Sequence, residues 1–255
     1  MITANAARVV ERQVLAYRRY WYVFAAGFAE PLLYLLSIGV GVGKLVGQVP
    51  GPGGVVVDYE KFVAPGLMAS ATMAGAVLDT TIDFYVKFRY AGTYKAMLAT
   101  PLGPDDIVRG EVAWTLLRTV LYSGAFLLAM IVLGLVESWW AVLAVPVAVL
   151  LALAFASIGT YVTTFMRSFV DFDYANLATV PMFLFSGIFF PLSRYPDWLG
   201  AVIQVTPLYQ AVDVIRRLTL GEPSWWMLAR IAYLAVIAAM CLPLAGRRVH
   251  LTLQP

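Results

Sequence analysis

Four charged residues stand where charge is hardest to carry: Glu30, Asp79, Asp83 and Arg118 all fall inside long apolar runs of the chain. A carboxylate or guanidinium in hydrocarbon is expensive, so such groups mark a polar point in a substrate path, a proton relay or a lock between helices. Glu30, followed by Pro31, lies about nine residues into its run, or roughly 13 Å at 1.5 Å per residue. Two readings stay open for it: a polar point on a path, or a hydrogen-bonded structural carboxyl with Arg118 as a candidate partner. Asp79 and Asp83 are four apart, share one helix face and can reach bases of the loop that follows.

Groups that would run covalent or metal chemistry are scarce. His250 is the single histidine and stands near the C-terminus, and Cys241 is the single cysteine, so an internal disulfide and a metal-binding cysteine cluster are both excluded. The sequence contains no His-Glu-x-x-His and no serine in a Gly-x-Ser-x-Gly setting. Gly39-Val-Gly41-Val-Gly43-Lys44 has the look of a phosphate loop, but Ile38 and Leu45 occupy the places of its required glycine and hydroxyl. Close helix packing and a lysine reaching outer head groups account for that segment better. The chain is therefore expected to be no enzyme, with no metal and no cofactor of its own.

The elements that position these residues follow from composition. Hydrophobic residues make up 61% of the 255, charged residues 13%, and the mean hydropathy is +0.79. That is well beyond the roughly 45–50% apolar content of soluble domains. The apolar residues fall in runs of about 20, the length of a helix that crosses some 30 Å of hydrocarbon, and in lipid such runs must be helices to satisfy their backbone. Spans are expected near 21–46, 62–84, 111–135, 140–165, 172–191 and 225–246. This predicts an all-α integral membrane protein with six transmembrane helices in a single domain over 1–255.

Residues 2–20 place Ala6, Val10, Val14, Tyr17 and Trp21 three to four apart, with Arg8, Arg12 and Arg19 on another side, as an amphipathic interface helix would. These bases precede the first span over too great a length for a cleavable signal, so the segment is expected to be retained. Lys87, Arg89, Lys95, Arg109, Arg167, Arg247 and Arg248 join them on one side of the membrane, against fewer bases on the other. The bias favours both termini in the cytoplasm of a bacterial-type inner membrane. It also accounts for the net charge of +3, which carries no separate suggestion of nucleic acid. The glycine- and proline-rich stretch after Gly47 reads as an outer connector. Residues 85–105 form the longest cytoplasmic loop, whose bases and aromatics suit a surface helix ended by Pro101, with Met97 and Leu98 available to another protein. Residues 192–224, broken by Pro196 and Pro207, cannot cross a bilayer and read as a re-entrant segment of the outer edge. The aromatics of the last spans and that segment, among them Phe183, Phe185, Phe189, Phe190, Trp198 and Tyr209, fit an amphiphile path and a packed interface belt equally well.

Taken together, Glu30-Pro31-Leu32-Leu33-Tyr34, the stretch 59–66, Gly92-Thr93-Tyr94-Lys95 with Thr100-Pro101-Leu102, and Ser186-Gly187-Ile188-Phe189-Phe190-Pro191 with Pro207-Leu208 and 213–217 make the chain resemble a known family. It is similar to the permease subunits of ABC type-2 exporters, in the branch of nodulation-factor (lipo-oligosaccharide) and daunorubicin-type drug exporters. The resemblance implies two permease subunits, the same or homologous, around a path for an amphiphilic substrate. It also implies a separate ABC ATPase under each cytoplasmic face, two per complex, which would bind the ATP and Mg. On this resemblance Arg89, Tyr90, Gly92, Thr93, Tyr94, Lys95, Met97 and Leu98 belong to the coupling helix. Ser186, Gly187, Phe189, Phe190, Pro191, Pro207, Asp213, Arg216 and Arg217 belong to the outer gate. An ion-coupled carrier or channel working without an ATPase is the alternative, although no paired repeats with broken midplane helices are evident.

Overall fold

The computed structural model describes residues 4–18 and 21–253. Arg19 and the side chain of Trp21, which the amphipathic pattern of the N-terminal helix used, lie outside the described residues. Among the described residues, Tyr59–Tyr90, Pro104–Val132, Trp139–Thr163 and Trp226–Thr252 are long and apolar enough to cross a membrane. A fifth crossing arises if Asp197–Val205 and Pro207–Leu220, bent by 86°, are one broken span. Four of the six expected spans coincide with these long helices, 21–46 is a continuous helical run, and the fifth expected span is shorter than its apolar run.

In chain order, α1 is Ala4–Arg18, and α2, Trp21–Leu36, continues through a π-helical turn at Ser37–Val42 into α3, Gly43–Val46. The glycines of this run do not all serve packing. A Cβ at Gly43 would stand 2.9 Å from Glu60 Cγ, whereas Gly41 faces open space. The connector that follows is more regular than its composition suggests. Strands β1, Gln48–Pro50, and β2, Val56–Asp58, pair antiparallel with Val49 opposite Val57, both buried. Alternation turns these valines inward, and Gly53 and Gly54 supply the positive φ of the turn, so one small hairpin closes the connector of an otherwise helical fold.

Helix α4, Tyr59–Leu78, runs on through π-helical turns at Asp79–Asp83 and Val86–Tyr90. The first turn swells toward α7, Ala144–Thr163, where a Cβ at Gly159 would lie 2.2 Å from Thr80 Oγ1. Widening a helix frees backbone carbonyls, and here Thr163 Oγ1 donates to the Thr80 carbonyl at 2.8 Å. After the six-residue α5, Thr93–Leu98, helix α6, Pro104–Val132, begins with Pro104 at its first position, and the Gly103 N–H donates to Asp106 Oδ2. Helix α7 is the hub. Ala144, Ala148, Ala152 and Ala156 are fully buried along it, and these small side chains let α4, α6 and α11, Trp226–Leu253, approach closely.

Helix α8, Asp171–Leu184, has 14 residues rather than the twenty expected for 172–191, and Phe172 is its one buried residue. At 1.5 Å per residue it reaches about 21 Å, short of a hydrocarbon core. It ends because the chain turns at Gly187, whose φ of +67° favours glycine. Helices α9, Asp197–Val205, and α10, Pro207–Leu220, make the sharp corner, since Pro207 forces extended backbone on Thr206.

Helix α1 does more than lie on a surface. Its buried face is Ala6, Val9 and Gln13, displaced from the expected Ala6, Val10, Val14 stripe, and Val14 is exposed. That face is seated on α6, and a Cβ at Gly110 would stand 2.5 Å from Val9 Cβ. Gly110→Val is expected to lift α1 and to destabilise by about 1–3 kcal/mol. A lower thermal midpoint and faster proteolysis within residues 4–18 of the detergent-solubilised chain would register it, and an unchanged profile would contradict it.

Candidate functional site

Glu30 and Pro31 on α2, Asp79 at the π turn of α4, Arg118 and Tyr122 on α6, and Asn176 and Thr179 on α8 surround one cavity of about 450 Å³. The rest of its wall is mainly apolar, with Met73, Phe126, Val180 and Phe183 among the contributors, and hydroxyls of Ser70, Thr119 and Ser123 interrupt it. Large apolar cavities with a few converging polar groups are the usual form of small-molecule sites. Arg118 Nη1 pairs with Asp79 Oδ1, so the base considered for Glu30 is held by the acid of span two. Glu30 itself stands exposed at the rim of the same cavity. Asp79 opens the π turn, and it meets Arg118 because α4 and α6 pack against each other, which helical periodicity alone does not reveal.

Asp83 leaves this group for the end of the bundle where α1 and α5 lie. Lys87 Nζ lies 3.2 Å from Asp83 Oδ2 and 2.9 Å from Glu111 Oε2, while Gln13 Nε2 donates to both Glu111 oxygens at 2.9 Å. Tyr17 Oη donates to Asp83 Oδ2 at 3.2 Å. This buried cluster ties α1, α4 and α6 directly above α5. Lys87 is one of the loop bases that Asp83 was expected to reach, whereas Glu111 and Gln13 were missed in the sequence.

The surface helix is shorter than expected and turned differently. Arg89 and Tyr90 belong to the exposed last turn of the long span-two helix, and Gly92, at φ +58°, breaks the chain before Thr93. Tyr94 and Met97 are buried against Val9, Phe84, Ile107 and Val249, and Leu98 packs on the same cluster. Met97 is thus corrected from a docking residue to a core residue. Apolar side chains at positions 94, 97 and 98 fall on one helical face, and the bundle takes it. Burial pushes the Tyr94 phenol well above its ordinary value, and the Glu111 carboxylate adds to the shift. Arg89, Tyr90, Lys95 and Ala96 remain exposed.

At the opposite end Arg216 organises the turn at 186–191. It is 4% exposed, its Nε donates to the Phe62 carbonyl at 2.9 Å, and its Nη2 donates to the Gly187 carbonyl at 2.8 Å. The guanidinium also lies 3.7 Å over the Phe62 ring. Ser186 Oγ donates to the Phe183 carbonyl, Phe189 meets Phe183 edge-on at 5.3 Å, and Phe190 is exposed beside Pro191. Ile188 is fully buried where a Cβ at Gly66 would be 3.0 Å away. Asp213 accepts from Arg217 at 2.8 Å and faces Arg230 of α11 at 3.3 Å, and Pro207 opens α10. Arg216 therefore clasps the turn to α4 from within, whereas Asp213, flanked by Arg217 on its own helix, links α10 to α11 through Arg230.

This architecture has relatives. Residues 6–220 match the ABC-2 type transporter family. Nodulation protein J of Rhizobium meliloti (strain 1021) is 34% identical over 222 residues, covering 86% of this chain and 82% of that protein. Nodulation protein J of Sinorhizobium fredii (strain NBRC 101917 / NGR234) is 31% identical over 239 residues, 92% of this chain and 89% of that protein. The match spans the cavity, the surface helix and the clasped turn alike, and with the long apolar helices it makes this chain a multi-pass membrane protein of the ABC-2 type transporter family.

Proposed function

We propose that the chain is the permease subunit of an ATP-driven exporter that moves an amphiphilic or lipid-linked substrate, such as a glycolipid, lipo-oligosaccharide, lipid or drug, outward across the cytoplasmic membrane. The cavity of about 450 Å³ carries this reading, because its apolar wall suits acyl or aromatic groups and its Asp79–Arg118 pair suits a polar head. Helix α8, with one buried residue, leaves a broad face for a second permease subunit, the same or homologous. The motor is a separate ATPase, two copies per complex, which binds ATP and Mg beneath both cytoplasmic termini. It meets the exposed residues Arg89, Tyr90, Lys95 and Ala96, and the push passes through the buried cluster around Glu111 to α4 and α6. At the outer end the turn 186–191 and the bent pair α9–α10 form the exit.

Lys95→Glu with Ala96→Glu reverses charge on the exposed face and leaves the buried side of α5 untouched. The double substitution is expected to weaken ATPase association by about tenfold or more, equivalent to 1.4 kcal/mol, with an unchanged thermal midpoint of the isolated chain. Quantitative co-purification from native membrane measures it. Full cargo movement in vesicles that contain this chain without any ATP-binding protein would refute the reading and favour an ion-coupled carrier.

A further inference from the structure

A second hollow, of about 610 Å³, lies between the first turns of α6 and the last turns of α11, apart from the cavity, the surface helix and the clasped turn. Val108, Leu242 and Leu251 form its apolar flank, and Arg109, Arg247 and His250 stand around it. Arg109 and Arg247 are exposed and make no ion pair among the described residues. One acid, Asp105, also lines the hollow and faces α11, its Oδ1 lying 3.7 Å from a Cβ built at Gly246. Two guanidinium groups against one carboxylate leave the hollow positive.

We propose that this hollow is a binding site for an anionic phospholipid, its phosphodiester held by Arg109 and Arg247 and the start of an acyl chain lying along Val108, Leu242 and Leu251. Guanidinium forks suit phosphate oxygens, and basic pockets between membrane helices suit anionic head groups. The apolar flank favours lipid over an acidic protein segment. On α11 it continues into the exposed Met240 and Leu244, a surface that only hydrocarbon covers well. The leaflet rests on the orientation given under the proposed function, which places the hollow at the inner face. Lipid occupancy and orientation are therefore measured separately.

Native mass spectrometry of the full chain, extracted from vesicles of equal phosphatidylglycerol and phosphatidylcholine, reads the occupant. Selective retention of phosphatidylglycerol is expected, and Arg109→Ala with Arg247→Ala is expected to reduce that preference about thirtyfold. Its thermal midpoint in phosphatidylcholine alone should match that of the parent chain. Arg109→Lys with Arg247→Lys keeps the charge without the fork and should fall between the two. Equal retention of both lipids by the parent chain, unchanged preference in the alanine pair, or displacement of the lipid by millimolar glycerol phosphate would overturn the site. Labelling of His250→Cys, in a Cys241→Ala background, by an impermeant thiol reagent tests the orientation alone. Labelling from the outside would leave the lipid site standing and reverse its leaflet.

Discussion

Arg216→Met is expected to cost about 3–5 kcal/mol of stability and to release the turn at 186–191. The guanidinium is the donor for the carbonyls of Phe62 and Gly187, at 2.9 and 2.8 Å, in a region from which water is excluded. A thioether of similar volume leaves both carbonyls without that donor, and each buried unsatisfied group carries roughly 1–3 kcal/mol. Arg216→Lys restores charge but cannot reach two carbonyls on different elements with one planar fork, so an intermediate loss is expected. Thermal unfolding in detergent gives the energy. Thiol labelling of Ser186→Cys in a Cys241→Ala background gives the opening, because Ser186 is fully buried in the intact turn. Labelling that stays slow in Arg216→Met would mean that Ile188 packing against Gly66 holds the turn without the clasp.

The second large effect belongs to the charge pair in the cavity. Asp79→Ala takes from Arg118 its partner carboxylate and leaves the guanidinium over the Tyr122 ring, and removing one partner of a buried pair costs about 3–5 kcal/mol. Asp79→Leu with Arg118→Met removes both charges and is expected to regain most of that stability, since hydrophobic replacements of buried pairs are often neutral. Transport separates structure from function here. If the pair receives the polar head of the substrate, the double variant folds, assembles with its ATPase and still exports poorly. Restored export at parental rate in the double variant would reduce the pair to a structural lock between α4 and α6.

Much of the scaffold was legible in the residues. The central helices, the surface segment after Gly92, the broken piece at Pro207 and the turn at Gly187 follow from apolar run length and from what proline and glycine permit. The length of the fifth run was not legible, because run length says nothing about where backbone turns. Leu184 ends α8 early although Phe185, Ile188, Phe189 and Phe190 keep the run apolar, and the break shows in the positive φ of Gly187. Met97 on α5 has the same lesson. An apolar residue on a short amphipathic helix can face a partner or its own bundle with identical periodicity, and here Val9 and Val249, distant in sequence, claim it. Arg230 beside Asp213 and Gln13 beside Glu111 lacked any local signal.

The order of amino acids determined the solvent of this protein and the type of its elements, since transfer free energy and backbone hydrogen bonding act over one run at a time. Which charge meets which was decided by the tertiary structure alone. The packing of α4 on α6 brings Asp79 to Arg118, and the crossing of α1 over Gly110 brings Gln13 to Glu111. The corner at Pro207 carries α10 to where Arg216 reaches Phe62. Pairing energies fall off within a few ångströms, so they depend on helix rotation and crossing, quantities that no local pattern of residues specifies.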